Sequence, residues 1–270
     1  MPLFQFFSLR SLTTFLVFAF SIIAVQAAQL SPLWLEAKGE GSPTVIFISG
    51  NGNDSTVWKG VEPDIRAMGV RTVIYDRAGL GKSPLWEGEY TVESEAKDLK
   101  TALAAHAING PVILVAHSYG GYISSLLSED MKQLQGIVLV DAGNPAVLSD
   151  DVVDYILAEY PPQFEAVEKA APDLAKAVIP VVKAFPFTAK RLQSVSVPEH
   201  LPIIDILAET PWVTNEQILS QVRKAHADFV AASPYRTSVF ASGSGHNVMK
   251  DKPEYVIEAV ADMLEQVRGK

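Results

Sequence analysis

A nucleophilic serine needs an exposed hydroxyl, a base to take its proton, an acid to orient the base, and N–H donors for the charge that forms on the substrate. Ser118 lies in such a setting, within Pro111-Val112-Ile113-Leu114-Val115-Ala116-His117-Ser118-Tyr119-Gly120-Gly121. A β-branched apolar run ends there, and a helical pattern follows from about Tyr122 to Met131. The spacing predicts a strand, a tight turn and a helix, with Ser118 at the apex in a strained backbone conformation. Residues two positions either side must be small to avoid collision across the turn, and Ala116 and Gly120 are. This is the alanine variant of Gly-x-Ser-x-Gly. It sets the hydroxyl above a sheet, at a helix N-terminus, with the Tyr119 N–H free to bind an oxyanion.

The base is expected in Gly243-Ser244-Gly245-His246-Asn247, between the last predicted strand and the last helix. A histidine between flexible residues on such a loop can reach across the top of a sheet. It also completes the chain order Ser…acid…His. The other histidines suit the role less. His106 and His226 lie on helical patterns that read as surface, His200 precedes a strand, and His117 is locked in the turn beside the serine. The stretch Ser49-Gly50-Asn51-Gly52-Asn53 follows another strand and can turn the Asn51 N–H into the site as a second oxyanion donor. Two carboxylates compete for the acid. Asp141 ends one strand and Glu209 lies just past the next; Asp205, inside a strand pattern, is a poorer choice. Asp141 could equally cap its own strand end. This chemistry requires no metal and no cofactor.

These groups need a scaffold of parallel strands. Near-continuous apolar runs at 33–38, Thr44–Ile48, Arg71–Tyr75, 112–115, 136–140, 203–207 and 236–241 read as buried strands. Helical patterns separate them at about residues 58–68, 92–107, 122–131, 215–232 and 253–267. The alternation implies an α/β fold with a mostly parallel sheet flanked by helices. It is interrupted between Ala142 and Pro202, where only helical patterns occur, at 149–159, 163–178 and 181–192, separated by Pro161-Pro162, Pro180 and Pro186. An insertion of this length, at about residues 143–200, reads as a helical lid. Phe164, Val181, Val182, Phe185 and Phe187 would give it an apolar inner surface.

The chain has 270 residues, 48% of them hydrophobic, which suits one large domain. Its formal charge is −9, from 31 acidic and 22 basic residues, with no basic cluster, so nucleic acid is not an expected partner. Absence of cysteine excludes disulfides, thiolate metal sites and a cysteine nucleophile. Residues 1–27 have the layout of a secretory signal peptide: Arg10, an apolar run from Leu12 to Val25, then Val25-Gln26-Ala27 before the expected cleavage. The run is short for a membrane span, although an uncleaved anchor is the alternative. Residues 28–270 are then the mature domain, exported to a periplasm or secreted, without stable membrane insertion.

The chain resembles the α/β-hydrolase fold superfamily, in its broad branch of bacterial single-domain serine hydrolases. The resemblance runs from about Leu33 to the C-terminus. It rests on Gly39-Glu40-Gly41-Ser42-Pro43-Thr44-Val45, Tyr75-Asp76-Arg77-Ala78-Gly79-Leu80-Gly81-Lys82-Ser83, Ala116-His117-Ser118-Tyr119-Gly120-Gly121, Leu139-Val140-Asp141 and Ser244-Gly245-His246. It implies Ser118 as nucleophile, His246 as base and the Asn51 and Tyr119 N–H groups as oxyanion hole. Two departures matter. Ser49-Gly50 stands where the family often has His-Gly, and no aspartate follows the 203–207 strand until Asp228. The second departure favours Asp141 over Glu209. Haloalkane dehalogenases share this placement of the acid, but their nucleophile is an aspartate, so dehalogenation is not implied. The expected reaction is hydrolysis of a small carboxylic ester or related acyl compound through an acyl-enzyme. A peptidase, C–C hydrolase or lyase on the same triad, or a silent ligand-binding protein, are the alternatives.

Overall fold

The computed structural model describes residues 33–86 and 88–269; the expected signal segment lies outside them. The strands are β1 (Leu35–Lys38), β2 (Thr44–Ile48), β3 (Arg71–Tyr75), β4 (Val112–His117), β5 (Leu134–Val140), β6 (Ile203–Thr210) and β7 (Arg236–Gly245). They form one seven-stranded sheet in the order β1-β3-β2-β4-β5-β6-β7. β1 runs antiparallel to β3, and the other pairs are parallel. The chain leaves β2 for β3 on one side and later returns to β4 on the other. The C-terminal ends of β2 and β4 therefore flank a crevice where the strand order reverses, the place such sheets offer a ligand.

The central strands are mostly apolar because both faces are covered. Along β2, Ile46 and Ile48 join one buried layer while Val45 and Phe47 join the other. β4 does the same with Leu114 and Ala116 against Ile113 and Val115. Helices α1 (Glu62–Ala67), α2 (Val92–Ala105) and α3 (Gly120–Leu127) follow the early strands. Four more fill the connection from β5 to β6: α4 (Asp150–Glu159), α5 (Phe164–Ala170), α6 (Pro172–Lys183) and α7 (Phe185–Leu192). The C-terminal part adds α8 (Glu216–Ala231), α9 (Val248–Asp251) and α10 (Pro253–Arg268). Burying one aliphatic side chain in such layers is worth about 1.5–3 kcal/mol.

The insertion departs from expectation in its boundaries. A single helix over 163–178 is expected, but the chain breaks at Ala171, whose φ of −148° and ψ of 72° are not helical. Pro172 causes this, since proline pushes the preceding residue out of the α region. Pro180, expected to separate two helices, lies inside α6 instead. The helix continues through it because Ile179, Val181 and Val182 are buried on either side.

Candidate active site

Ser118 joins β4 to α3 with a φ of 52°, in the left-handed region. Its carbonyl accepts the N–H groups of Gly121 and Gly143, both at 3.0 Å, which ties the turn to the loop after β5. Gly120 must be glycine for a reason other than collision across the turn. A Cβ there would lie 2.6 Å from the Ile48 carbonyl oxygen, so the restriction comes from β2. Gly121 is equally confined, with the Gly143 carbonyl 2.0 Å from an added Cβ.

Asp141 and His246 meet. The Asp141 Oδ2 lies 2.6 Å from His246 Nδ1, and its Oδ1 accepts the Ala208 N–H at 3.0 Å. Asp141 is buried and turns off β5 with a φ of 42°. One carboxylate oxygen is thus fixed by β6 and the other is presented to the imidazole. Glu209 goes elsewhere. Its Oε2 accepts the Gly243 N–H at 2.8 Å and the Ser242 hydroxyl at 3.1 Å, and these donors lower its pKa. It braces the end of β7 from the solvent side.

His246 is held from behind by His117. The His117 Nε2 lies 3.0 Å from the His246 carbonyl oxygen, so that nitrogen carries the hydrogen and donates. The two rings lie 4.6 Å apart at 43°. Burial, and then the nearby His246 ring, push His117 well below the ordinary histidine value of 6.5. His117 therefore stays neutral and adds no charge beside the imidazole of His246.

The Ser49–Asn53 turn lies directly against the elbow. A Cβ on Gly50 would come 2.8 Å from Ser118 Cβ and 2.9 Å from His117 Nδ1. The Gly50 carbonyl accepts the Asn53 N–H at 3.2 Å, closing the turn. Among the described residues, neither the Asn51 nor the Tyr119 N–H has a protein acceptor. The Asn51 side chain donates to the Val178 carbonyl of α6 at 3.2 Å and so links this turn to the insertion.

Ser118 and His246 open into a cavity of about 180 Å³ that Asn51 and Tyr119 also line. Ile156, Tyr160, Val182 and Phe185 form its roof from the insertion, with Tyr122, Gly143, Asn53 and Trp212 completing the wall. Phe185 packs edge-on to both Tyr119 and Tyr122, with centroids at 6.0 and 6.1 Å. Among the described residues, no aspartate, glutamate, lysine or arginine lines this space. Phe187, expected on the inner surface, faces solvent on α7. Among the described residues, no group of three or more histidine, aspartate or glutamate side chains is placed to hold a metal ion.

Two buried pairs went unrecognised in the sequence. The Arg77 Nη1 bonds both oxygens of Glu95, at 2.8 and 2.7 Å. Burial works against the Arg77 charge, but Glu95, Tyr119 and Tyr75 together outweigh it and lift the guanidinium above its ordinary range. Asp76, its neighbour, serves the turn instead: its carboxylate accepts the Ser55 and Lys82 N–H groups at 2.7 and 2.8 Å. His226 is not on the surface as expected. It is buried on the inner face of α8, with Nδ1 2.7 Å from Asp205 Oδ2 and 3.2 Å from Asn144 Nδ2. Burial raises the Asp205 pKa, and His226 opposes the rise. The available signal was an aspartate inside an otherwise apolar strand, which demands a buried partner.

Comparison with known proteins matches the fold. YqjL of Bacillus subtilis is 25% identical over 230 residues, covering 84% of this chain and 85% of that protein. An esterase from Thermogutta terrifontis superposes with a TM-score of 0.59 at 19% identity, over 87% of this chain and 93% of its own. A bromoperoxidase from Bacillus anthracis gives 0.64 at 18% identity, over 86% and 95%. Structures this distant share the fold and leave the chemistry to the site. The family model described as "Alpha/beta hydrolase family" matches residues 45–259, and the chain belongs to that family.

Proposed function

We propose that this protein is a serine hydrolase that cleaves small, uncharged carboxylic esters or related acyl compounds through Ser118, His246 and Asp141. The 2.6 Å contact between Asp141 and His246 Nδ1 carries this reading. An ionised carboxylate at that nitrogen requires Nδ1 to bear the hydrogen, which leaves the Nε2 lone pair to accept a proton. His246 takes the Ser118 proton as the oxygen attacks the substrate carbonyl. The oxyanion forms between the Asn51 and Tyr119 N–H groups, His246 returns the proton to the leaving alcohol, and an acyl-enzyme remains. Water then attacks the ester. His246 takes one proton from it, the Ser118 oxygen leaves and regains that proton, and the carboxylic acid departs.

Cavity size and polarity limit the substrate. An apolar cavity of about 150 Å³ holds one benzene molecule. A space of about 180 Å³ therefore accommodates one ring or a short branched chain on the reacting carbonyl. Aromatic walls without a charged side chain favour a neutral group there. The esterase among the structural neighbours is consistent with acyl chemistry on this scaffold. The Arg10, apolar-run and Val25-Gln26-Ala27 order supports action outside the cytoplasm.

The test is labelling of the purified protein with a fluorophosphonate probe, followed by mass mapping of the modified peptide. The probe should sit on Ser118, and Ser118→Ala should abolish both labelling and ester hydrolysis, with kcat reduced by about 10⁴-fold or more. Full activity in Ser118→Ala would refute the assignment.

A further inference from the structure

The buried Arg77 is attached to more than its own turn. One nitrogen of the guanidinium, Nη1, is fully engaged by Glu95. The other, Nη2, donates to the Gly50 carbonyl at 2.9 Å and reaches Asn51 Oδ1 at 3.4 Å. The guanidinium carbon also stands 5.1 Å from the centroid of the Tyr119 ring. A single cation thus touches both residues whose N–H groups are assigned to the oxyanion.

The Gly50 contact has a directional consequence. A trans peptide points its C=O and N–H to opposite sides. Among the described residues the one cis bond is Ser42–Pro43, so the Gly50–Asn51 peptide is trans. Pinning the Gly50 oxygen onto Arg77 at 2.9 Å, beside the longer 3.2 Å bond that it accepts from the Asn53 N–H, therefore sends the Asn51 N–H the other way, and Asn51 lines the cavity that holds Ser118. A glycine peptide turns over easily. If this one did, a carbonyl lone pair would stand where negative charge develops. A cation on the carbonyl also polarises the peptide and strengthens the N–H as a donor.

We propose that Arg77 is the positioning residue of the oxyanion hole: by holding the Gly50 carbonyl it aims the Asn51 N–H at the developing oxyanion, and Glu95 holds the guanidinium in place. The proposal rests on the serine hydrolase reading and adds a residue that touches no substrate. Arg77→Lys keeps a cation but not the fork that serves Glu95 and Gly50 together. The double variant Arg77→Met, Glu95→Gln removes both charges at once and leaves no buried charge unpaired.

Both variants are compared with wild type in ester hydrolysis and in binding of an aryl trifluoromethyl ketone. That ketone adds Ser118 and places its own oxyanion in the hole. In the double variant kcat should fall by about 10²–10³-fold, the effect of losing one oxyanion donor. KM should stay within about threefold, and ketone affinity should fall in parallel with kcat. Arg77→Lys should lie between the double variant and wild type on both scales. A merely structural clamp gives a different pattern. If either folded variant binds the ketone as tightly as wild type, Arg77 does not position the hole, whatever happens to stability. Should the double variant fail to fold, Arg77→Lys alone decides on the same criterion. A wild-type protein that takes no fluorophosphonate at Ser118 overturns the hydrolase reading and this proposal with it.

Discussion

Replacing Asp141 by asparagine isolates the tautomer of His246, because the surroundings dictate how the new amide must sit. The Ala208 N–H donates to one Asp141 oxygen at 3.0 Å, and only an oxygen can accept there. The carbonyl oxygen of the new amide takes that place, and its NH2 group is left facing His246 Nδ1. A donor opposite Nδ1 forces that nitrogen to be the bare one, so the hydrogen moves to Nε2. Nε2 then cannot accept the Ser118 proton. The amide fills the same volume and keeps the Ala208 bond, so folding is retained. The expected loss in kcat is about 10⁴-fold, or about 5.5 kcal/mol of transition-state stabilisation. The assay is hydrolysis of p-nitrophenyl acetate, with thermal melting of the same preparations. Glu209→Gln is the companion, expected within about threefold of wild type because that side chain braces Gly243 from solvent. Asp141→Asn with a wild-type melt and activity within about tenfold of wild type would refute the tautomer reasoning. A crippled Glu209→Gln would refute the choice of acid.

Other expectations concern the buried groups and the N-terminus. His117 has a folded pKa below its unfolded one, so its contribution to stability is complete above the ordinary value of 6.5 and is lost as pH falls below it. The melting temperature should drop between about pH 7 and pH 5, and His117→Gln should flatten that slope; an unchanged slope would show that another group is responsible. His226→Ala strands the Asp205 carboxylate in the interior and should cost about 3–5 kcal/mol in urea unfolding. Joint replacement of Asp205 and His226 by leucine should recover most of it, and a cost for His226→Ala under about 1 kcal/mol would mean the pair carries little. N-terminal sequencing of the native protein should begin near Ala28, whereas Met1 on membrane-bound material would indicate a retained anchor.

The strands and the serine turn were legible because local rules decide them. β2 and β4 are buried on both faces, so their apolar runs have no other reading, and the close approach of Ile48 and Gly143 to the turn after β4 leaves its mark in Gly120 and Gly121. The insertion was legible as helical but not in its breaks. Proline at 172 and proline at 180 look alike in sequence, and only the buried neighbours of Pro180 carry the helix through. Asp141 and Glu209 could not be separated from spacing alone, since the apolar runs put both just past the ends of adjacent strands, although Glu209 lies within β6. The geometry separates them through the backbone: Ala208 N–H holds Asp141 inward, while Gly243 N–H draws Glu209 outward. His226 read as surface because α8 is polar around much of its circumference. Its partner Asp205 is distant in sequence, and helical periodicity carries no information about such a partner.

The cavity is assembled from two unequal sources. Ser118, His246 and Asp141 hang from the ends of β4, β7 and β5, whereas Ile156, Tyr160, Val182 and Phe185 all come from one unbroken stretch between β5 and β6. The candidate reacting groups and the roof above them are therefore encoded in separable lengths of the chain. Exchange of the stretch from α4 to α7 for a relative's would recast what the molecule accepts, while bond-breaking stayed with the strands. Asn51 marks the seam, with its side chain on the Val178 carbonyl above and a share, with Ser118, of the cavity lining below. A graft that supplies no acceptor at that point would free the amide, so the seam sets a condition that any transplanted roof has to meet.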